Sequence, residues 1–210
     1  YSSAASDVYK RQLLGYAETR REAEIMLTEK KIKVDGTTRR DERFPVGLMD
    51  IVEISDTNQY FRVLPSKSGL VLHPVNSEES KFKLCRIESK TTTKNGHIQL
   101  NLHDGRNLLI KTVDPLHPIE DIYKVHDVLR IGVPNQEILD HLKFREKALA
   151  LIIGGKSRGQ HGQILSIEKR PGLLDTVTLR SRDGNEIRTV ISYIFPVGID
   201  SLLISLPEAA

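Results

Sequence analysis

The sequence predicts an α+β protein that is mostly β, and three observations carry that expectation. The clearest helical spacing lies near the start, where Ala23, Met26 and Leu27 share one face behind Thr19. Beyond it, short runs alternate apolar and polar residues, the period of a strand with one buried face, and Asp35-Gly36, Asp104-Gly105 and Asp183-Gly184 punctuate them as turns. Third, an apolar strand enters and another leaves a loop of glycines and cations, Ala150-Leu151-Ile152-Ile153-Gly154-Gly155-Lys156-Ser157-Arg158-Gly159-Gln160-His161-Gly162-Gln163-Ile164.

Residues 1–12 show weak periodicity and read as a frayed start. Thr19 is placed to cap a helix, and Lys30 and Lys31 fall at its end, where the helix dipole favours cations. Arg20 and Arg21 sit in its first turn, against the dipole, at roughly 0.3–1 kcal/mol each. Glu18, Glu22 and Glu24 offset part of this, yet arginines there are better explained by an external anion. Ile32-Lys33-Val34-Asp35-Gly36-Thr37-Thr38-Arg39 alternates into an Asp-Gly turn and reads as a hairpin.

From 55 to 145 strands and turns dominate, with strands at Tyr60–Leu64, Leu70–His73 and Leu108–Lys111. Ser77-Glu78-Glu79 starts one short helix, and Pro134–Leu139 reads as a second. His97–His103 alternates cleanly, so His97, Gln99, Asn101 and His103 share a polar face, either solvated or against RNA. The two histidines lie about 20 Å apart on a straight strand, whereas zinc sits about 2 Å from each ligand, so they do not share a metal by themselves. After Ala148 come the glycine loop, Thr176–Arg180, a turn at Arg182-Asp183-Gly184-Asn185 and Glu186–Val190, which fit a small barrel.

The glycine loop suits phosphate contact: Gly154, Gly155, Gly159 and Gly162 allow tight turning, and Lys156, Arg158 and His161 are displayed between strands. Gly155-Lys156-Ser157 matches the end of a nucleotide-binding P-loop, but Ala150 stands where its first glycine belongs and the following glycines oppose a helix.

Composition narrows the classes. The 210 residues are 39% apolar, and no apolar run approaches the roughly 18 residues of a membrane span. The lone Cys85 excludes an internal disulfide and a multi-cysteine zinc site, and reads as a small buried residue of a cytosolic protein. No secretory signal is read. Net charge is only +3, but Lys10–Arg43 holds ten cations against seven anions and Arg145–Arg170 six against two. Residues 44–144 are nearly balanced, at twelve against thirteen. Two separated basic segments suggest two contacts on a polyanion. The 5% aromatic content favours contact through phosphates and RNA shape over base stacking.

Helix, basic turn and hairpin, with Leu14–Ala23, Ile32–Gly36 and the closing segment Pro45–Ile54, resemble the alpha-L RNA-binding fold. Ile152–Ile164 is similar to the KOW motif of ribosomal and transcription-elongation proteins. The order of these modules resembles the family of small-subunit ribosomal protein number four of the archaeal and eukaryotic type. Leu14–Ala23, Arg40-Asp41, Phe44–Asp50, Lys81–Cys85 and Gly96–Arg106 carry the match, which covers roughly residues 13 to 206. The resemblance implies an alpha-L module over 13–54, a β-rich central domain over 55–145 and an SH3-like KOW barrel over 146–210, behind an atypical segment 1–12. Family members carry a basic N-terminal segment and a longer first helix, which Tyr1–Gln12 does not resemble, so truncation or foreign sequence is expected there. The stop soon after Leu202–Pro207 points to an archaeal-like source.

The resemblance further implies a non-catalytic structural constituent of the cytoplasmic small ribosomal subunit, with ribosomal RNA and neighbouring ribosomal proteins as partners. No cofactor, metal, membrane or small-molecule substrate is expected. The expected RNA-binding residues are Arg20, Arg21, Lys30, Lys31, Lys33, Arg39 and Arg40 at one end, and Lys156, Arg158 and His161 at the other. An RNA-modifying enzyme is the alternative, since pseudouridine synthases carry the alpha-L module, but Arg182-Asp183-Gly184 lacks their Gly-Arg-Leu-Asp context. A transcription-elongation accessory explains the KOW unit and leaves the alpha-L module unexplained.

Overall fold

The computed structural model describes residues 28–41, 44–114, 117–169, 172, 174–182 and 184–207. The helix expected behind Thr19, with Arg20 and Arg21, lies outside them. What is described is three five-stranded antiparallel sheets in chain order.

The first contains β1 (Ile32–Val34), β2 (Thr37–Thr38), β3 (Ile51–Ile54), β4 (Gln59–Ser66) and β5 (Gly69–Val75), in the order β2-β1-β3-β4-β5. Its opening hairpin forms because Asp35 (φ 48°) and Gly36 (φ 68°) both take the left-handed backbone a two-residue turn demands. Alternate residues Ile32, Val34, Val52, Ile54, Phe61 and Val63 then fall on one face and make its core. The chain turns back through residues 55–58 into β4, with Ile54 opposite Gln59.

The second sheet contains β6 (Phe82–Thr92), β7 (Ile98–Leu102), β8 (Asn107–Ile110), β9 (Val128–Gly132) and β10 (Ile138–Leu142), in the order β10-β9-β6-β7-β8. The long β6 serves two partners: its first half pairs with β9, its second with β7, and the register shifts between Ile87 and Ser89. The third contains β11 (Leu149–Ile152), β12 (His161–Glu168), β13 (Thr176–Ser181), β14 (Glu186–Val190) and β15 (Ile194–Gly198), in the order β14-β13-β12-β11-β15.

A fourth apolar cluster locks the sheets together. Met49 and Leu64 come from the first, Phe82, Leu84, Val128 and Leu142 from the second, and Leu151, Phe195 and Val197 from the third. This explains the unbroken apolar run at Ala148–Ile153: Ala148, Ala150 and Ile152 face the third sheet's own core, while Leu149, Leu151 and Ile153 face the junction. A strand covered on both faces has no polar side to show.

Polar ties reinforce the junction. Arg86 Nη1 donates to the carbonyls of Ser192 and Ile194 at 2.8 and 2.6 Å. The Glu79 carboxylate accepts from the Ser205 amide and hydroxyl at 3.0–3.2 Å, fastening residues near 205 to the 3-10 turn Glu79–Lys81.

Two local expectations are corrected and a third is narrowed. Pro134–Leu139 is no helix. It is a turn, with Gln136 left-handed (φ 61°), feeding β10, and Gly132 N–H bonds the Glu137 carbonyl at 2.8 Å. The strand pairing of Ile138 with Ile131 overrides the capping pattern. And His103 does not stand on an open polar face; it turns inward, as described below. The helix expected at Ser77–Glu79 is one 3-10 turn, Glu79–Lys81.

Candidate nucleic-acid interface

At the N-terminal end, β1 and its hairpin position the expected cations, and the structure sorts them. Lys31 bridges Glu29 and Asp56 at 2.7 and 2.8 Å, and Lys33 meets Glu53, its cross-strand neighbour, at 2.8 Å. Both are therefore partly neutralised within the chain. Hydrogen bonds from the Lys31 ammonium to Asp56 and Glu29 push its pKa up, so it stays charged. Lys30, left-handed at φ 63°, and Arg40 are exposed. The Arg39 guanidinium lies 4.0 Å from the centre of the Phe44 ring, with its Nε buried and unpartnered. Lys30, Thr38, Arg39, Arg40, Asp41 and Phe44 line one concavity of about 550 Å³. Three cations and one carboxylate around an open hollow favour an anion. Arg20 and Arg21 lie outside the described residues.

At the other end, the glycine loop joins β11 to β12. Gly155 and Gly159 have φ of +78° and +88°, which other residues reach only at a cost. Gly154 and Gly162 are small for another reason: a Cβ on Gly154 would lie 2.7 Å from the Tyr193 ring, and one on Gly162 2.2 Å from the Arg180 carbonyl oxygen. The loop docks on the β4–β5 turn, where Arg158 donates from Nε to the Ser66 carbonyl at 2.9 Å and from Nη2 to the Lys67 carbonyl at 3.2 Å. Lys156 is the exposed cation at the tip. Arg158 instead ties the third sheet to the first.

His161 is half-buried, and neither ring nitrogen has a hydrogen-bond partner. Burial first, and the Arg182 charge second, lower its pKa, which favours the neutral ring. It lines a hollow of about 240 Å³ with Arg180, Ser181 and Arg182.

Sequence reasoning did not single out Lys67, Arg180 or Arg182. Lys67 is exposed in the turn that receives the glycine loop, and the only local signal was a lysine in Ser66-Lys67-Ser68-Gly69. Arg180 and Arg182 stood as ordinary strand and turn residues until β12–β13 pairing set them beside His161.

Between the two ends lies a buried charge network. Lys83, 1% exposed, bonds Asp35 (3.0 Å), Asp104 (2.9 Å) and Asp50, and Arg106 bridges Asp35 and Asp104. Asp35 and Asp50 come from the first sheet's turns and Lys83 and Asp104 from the second sheet, so the network rivets one to the other. Burial raises the Asp50 pKa despite the nearby Lys83 charge, while Asp104, bonded to Lys83 and the Arg106 amide, is lowered.

Cys85, His103 and Asp104 bring ligand atoms within 4.8 Å of one another, the metal-like trio found among the described residues. Its chemistry does not suit an ion. His103 Nδ1 accepts from the Arg86 amide at 3.2 Å, leaving Nε2–H to donate to the Leu48 carbonyl at 3.1 Å. Both ring nitrogens are thus engaged, Asp104 holds the Lys83 ammonium, and burial pushes the Cys85 thiol up, away from the thiolate a metal needs.

Comparison with known proteins decides the family. The model for the S4 domain matches residues 13–52 and that for ribosomal family S4e matches residues 57–138. A protein of Desulfurococcus amylolyticus called small ribosomal subunit protein eS4 is 48% identical over 202 residues, covering 95% of this chain and 80% of that one. The chain belongs to the S4e family of ribosomal proteins. Its eS4 relative in Methanocaldococcus jannaschii is 46% identical over 197 residues, covering 93% and 80%. The crystal structure of the 30S ribosomal protein S4e of Thermoplasma acidophilum superposes with a TM-score of 0.76 at 31% identity, over 93% of this chain and 94% of that one. The resemblance read from the sequence, its archaeal-type character and the mostly β fold are borne out. No helix among the described residues is long and apolar enough to cross a membrane.

Proposed function

We infer that this S4e-family chain is a structural component of the small ribosomal subunit that holds ribosomal RNA through two cationic ends of one rigid body. The observation that carries the reading is the 48% identity, over 95% of the chain, to a relative named for that subunit. The geometry supports a gripping mode: Lys30 and Arg40 at one end and Lys156 and Lys67 at the other are exposed, and the junction core and the Lys83 network fix the spacing between them. In the sequence, Arg20 and Arg21 belong to the same basic segment as the first end. Lys31, Lys33 and Arg158, already paired internally, contribute less, and His161, neutral and half-buried, contributes as a polar group. The neighbours in this reading are ribosomal RNA and other proteins of the subunit.

The test is sedimentation of the tagged chain with purified small subunits through a moderate salt wash, with the affinity for small-subunit RNA measured across salt. A log–log slope near −0.7 to −0.9 per neutralised phosphate is expected. A flat response, or a chain left at the top of the gradient, removes the reading.

A further inference from the structure

Among the described residues, the exposed large apolar side chains include one aromatic ring, that of Tyr193, at 42% exposed. Tyr193 ends the 3-10 turn Ile191–Tyr193 between β14 and β15, and its backbone is pinned. Its carbonyl accepts the Ile153 amide at 2.8 Å. The carbonyls before and after it, of Ser192 and Ile194, both accept from Arg86 Nη1. Three successive bonded carbonyls fix where this side chain begins.

The ring lies on the glycine loop. A Cβ built on Gly154 would stand 2.7 Å from Tyr193 Cδ1, and 3.0 and 3.1 Å from the two carbons bonded to it, Cε1 and Cγ. Near-equal distances to one ring atom and both its neighbours put that point over the face of the ring and not beyond its rim. Gly155 meets the opposite edge, with Cε2 and Cδ2 3.4 and 3.5 Å from its built Cβ. One face is therefore stacked on glycine backbone, and the other face is the one left to take a partner.

The charges around the ring say which partner. Lys156 follows Gly155 directly, is exposed, and enters no ion pair among the described residues. Lys67 is exposed on the turn to which Arg158 fastens the loop, so a second cation stands on the same docked unit. Arg86, which pins Tyr193, is itself paired with Glu88 through Nε and Nη2 at 2.9 and 2.6 Å, so that carboxylate is compensated. An open π face beside unpaired cations matches a nucleotide, whose base stacks while its phosphate meets the lysine. Bases within a duplex stack on one another, so the base that Tyr193 takes is unpaired. Few aromatics in the chain argue against stacking as the general mode of contact, but a single platform needs only one.

We propose that Tyr193, seated on Gly154 and Gly155, is a stacking platform for one unpaired base of ribosomal RNA, with Lys156 holding an adjoining phosphate. The proposal rests on the ribosomal reading above and deepens it, since it names a loop or bulged nucleotide as what this end of the protein grips.

The experiment uses the full chain and small-subunit RNA. Ultraviolet irradiation of the unmodified complex should join the peptide that holds Tyr193 to a base unpaired in the RNA. Tyr193→Leu should weaken RNA binding about tenfold and leave the salt slope unchanged, because stacking releases no counterions. Tyr193→Phe keeps the π face and should bind within about twofold of the parent protein. Lys156→Ala should instead lower the slope by about 1. Urea melts show whether the leucine variant is folded, and the irradiation needs no variant at all. A Tyr193 peptide joined to no nucleotide, or only to paired ones, overturns the platform. So does a folded leucine variant that binds like the parent or loses salt slope along with affinity. In each of these cases the chain still binds the RNA and the ribosomal reading stands. A chain that neither binds small-subunit RNA nor sediments with the subunit overturns that reading, and this one with it.

Discussion

Arg158 Nε lies 2.9 Å from the carbonyl oxygen of Ser66, ninety-two residues earlier in the chain. An arginine in a glycine-rich basic loop therefore works as a fastener between the third sheet and the first, two residues from Lys156, which faces solvent. Adjacent cations of one motif thus have different jobs. Arg158→Ala should lower the unfolding free energy by about 1–2 kcal/mol, because two charge-assisted bonds to carbonyls are lost at a partly exposed site. Lys156→Ala should leave stability within about 0.5 kcal/mol and reduce the salt slope of RNA binding by about 1. Urea melts and RNA titrations across salt check both halves. Equal effects of the two variants on stability would remove the distinction.

The glycines of the loop should rank by what surrounds them. At Gly162 an added methyl meets backbone, 2.2 Å from the Arg180 oxygen and 2.7 Å from its carbonyl carbon, where β12 is paired with both β11 and β13. Nothing there can swing aside, so Gly162→Ala should cost about 3 kcal/mol. At Gly155 space is adequate, with the nearest atom at 3.4 Å, but φ is +78°, so alanine should cost about 1–2 kcal/mol. At Gly154 the obstacle is the Tyr193 ring, itself 42% exposed and able to rotate outward, so about 1 kcal/mol is expected. Denaturation midpoints order the three, and a Gly162→Ala protein as stable as Gly154→Ala would contradict the geometry.

Much of this fold was legible because strand periodicity is local. His97–His103 alternates, and β7 appears at Ile98–Leu102 with Ile98, Leu100 and Leu102 buried. Asp35-Gly36 announces its hairpin, and Glu186–Val190 is strand β14 as read. What escaped depends on distant partners. Nothing in Lys81-Phe82-Lys83 marks the second lysine as fully buried and the first as exposed, since the three carboxylates that hold Lys83 come from turns 48, 33 and 21 residues away in sequence. His103 looked like the end of a polar face because alternation does not report that the third sheet's Phe195 ring packs 5.3 Å from it. Pro134–Leu139 satisfied the rules for a helix start, and pairing of its end, Ile138, with β9 made it a turn into β10. For the candidate interface, the sequence marked where cations concentrate; which of them are consumed by Glu29, Glu53 or Ser66 is set by cross-strand register and sheet docking.

The Lys83 network gives a sharper stability test. Lys83→Met keeps the volume of the side chain and deletes its charge. Asp35, Asp50 and Asp104 then keep only Arg106 between them in a buried site. Leaving buried charges without their partner costs about 3–5 kcal/mol at neutral pH. The deficit should shrink in acid, because carboxylates that have lost a cation bind protons more readily and the neutral acid is cheaper to bury. A urea series at pH 7 and pH 5 measures this, and a loss under about 1 kcal/mol at pH 7 would mean the network is not buried as described.

His103 sets the pH dependence above the carboxylate range. Burial, and then the nearby Lys83 charge, push its pKa down from 6.5 to about 4, and its two hydrogen bonds fix the neutral ring between the Arg86 amide and the Leu48 carbonyl. In the unfolded chain the ring titrates near 6.5, so between about pH 6.5 and 4 the unfolded state binds more protons than the folded one. Stability is therefore full above about pH 6.5 and falls as pH is lowered toward 4, by about 3 kcal/mol in total from this group. Asp104, whose pKa is lowered from 3.8, acts below that window, while Asp50, raised from 3.8 by burial, adds slope of the opposite sign above 3.8. His73, His126 and His161, also lowered by burial, add slope of the same sign, so the contribution of His103 is read as the difference between the protein and His103→Gln. The glutamine variant should be less stable at pH 7.5, where it loses the accepted Arg86 amide, and should lose less on acidification, so the two stability curves converge toward pH 4. Parallel curves would show that the ring is not held neutral in the folded protein.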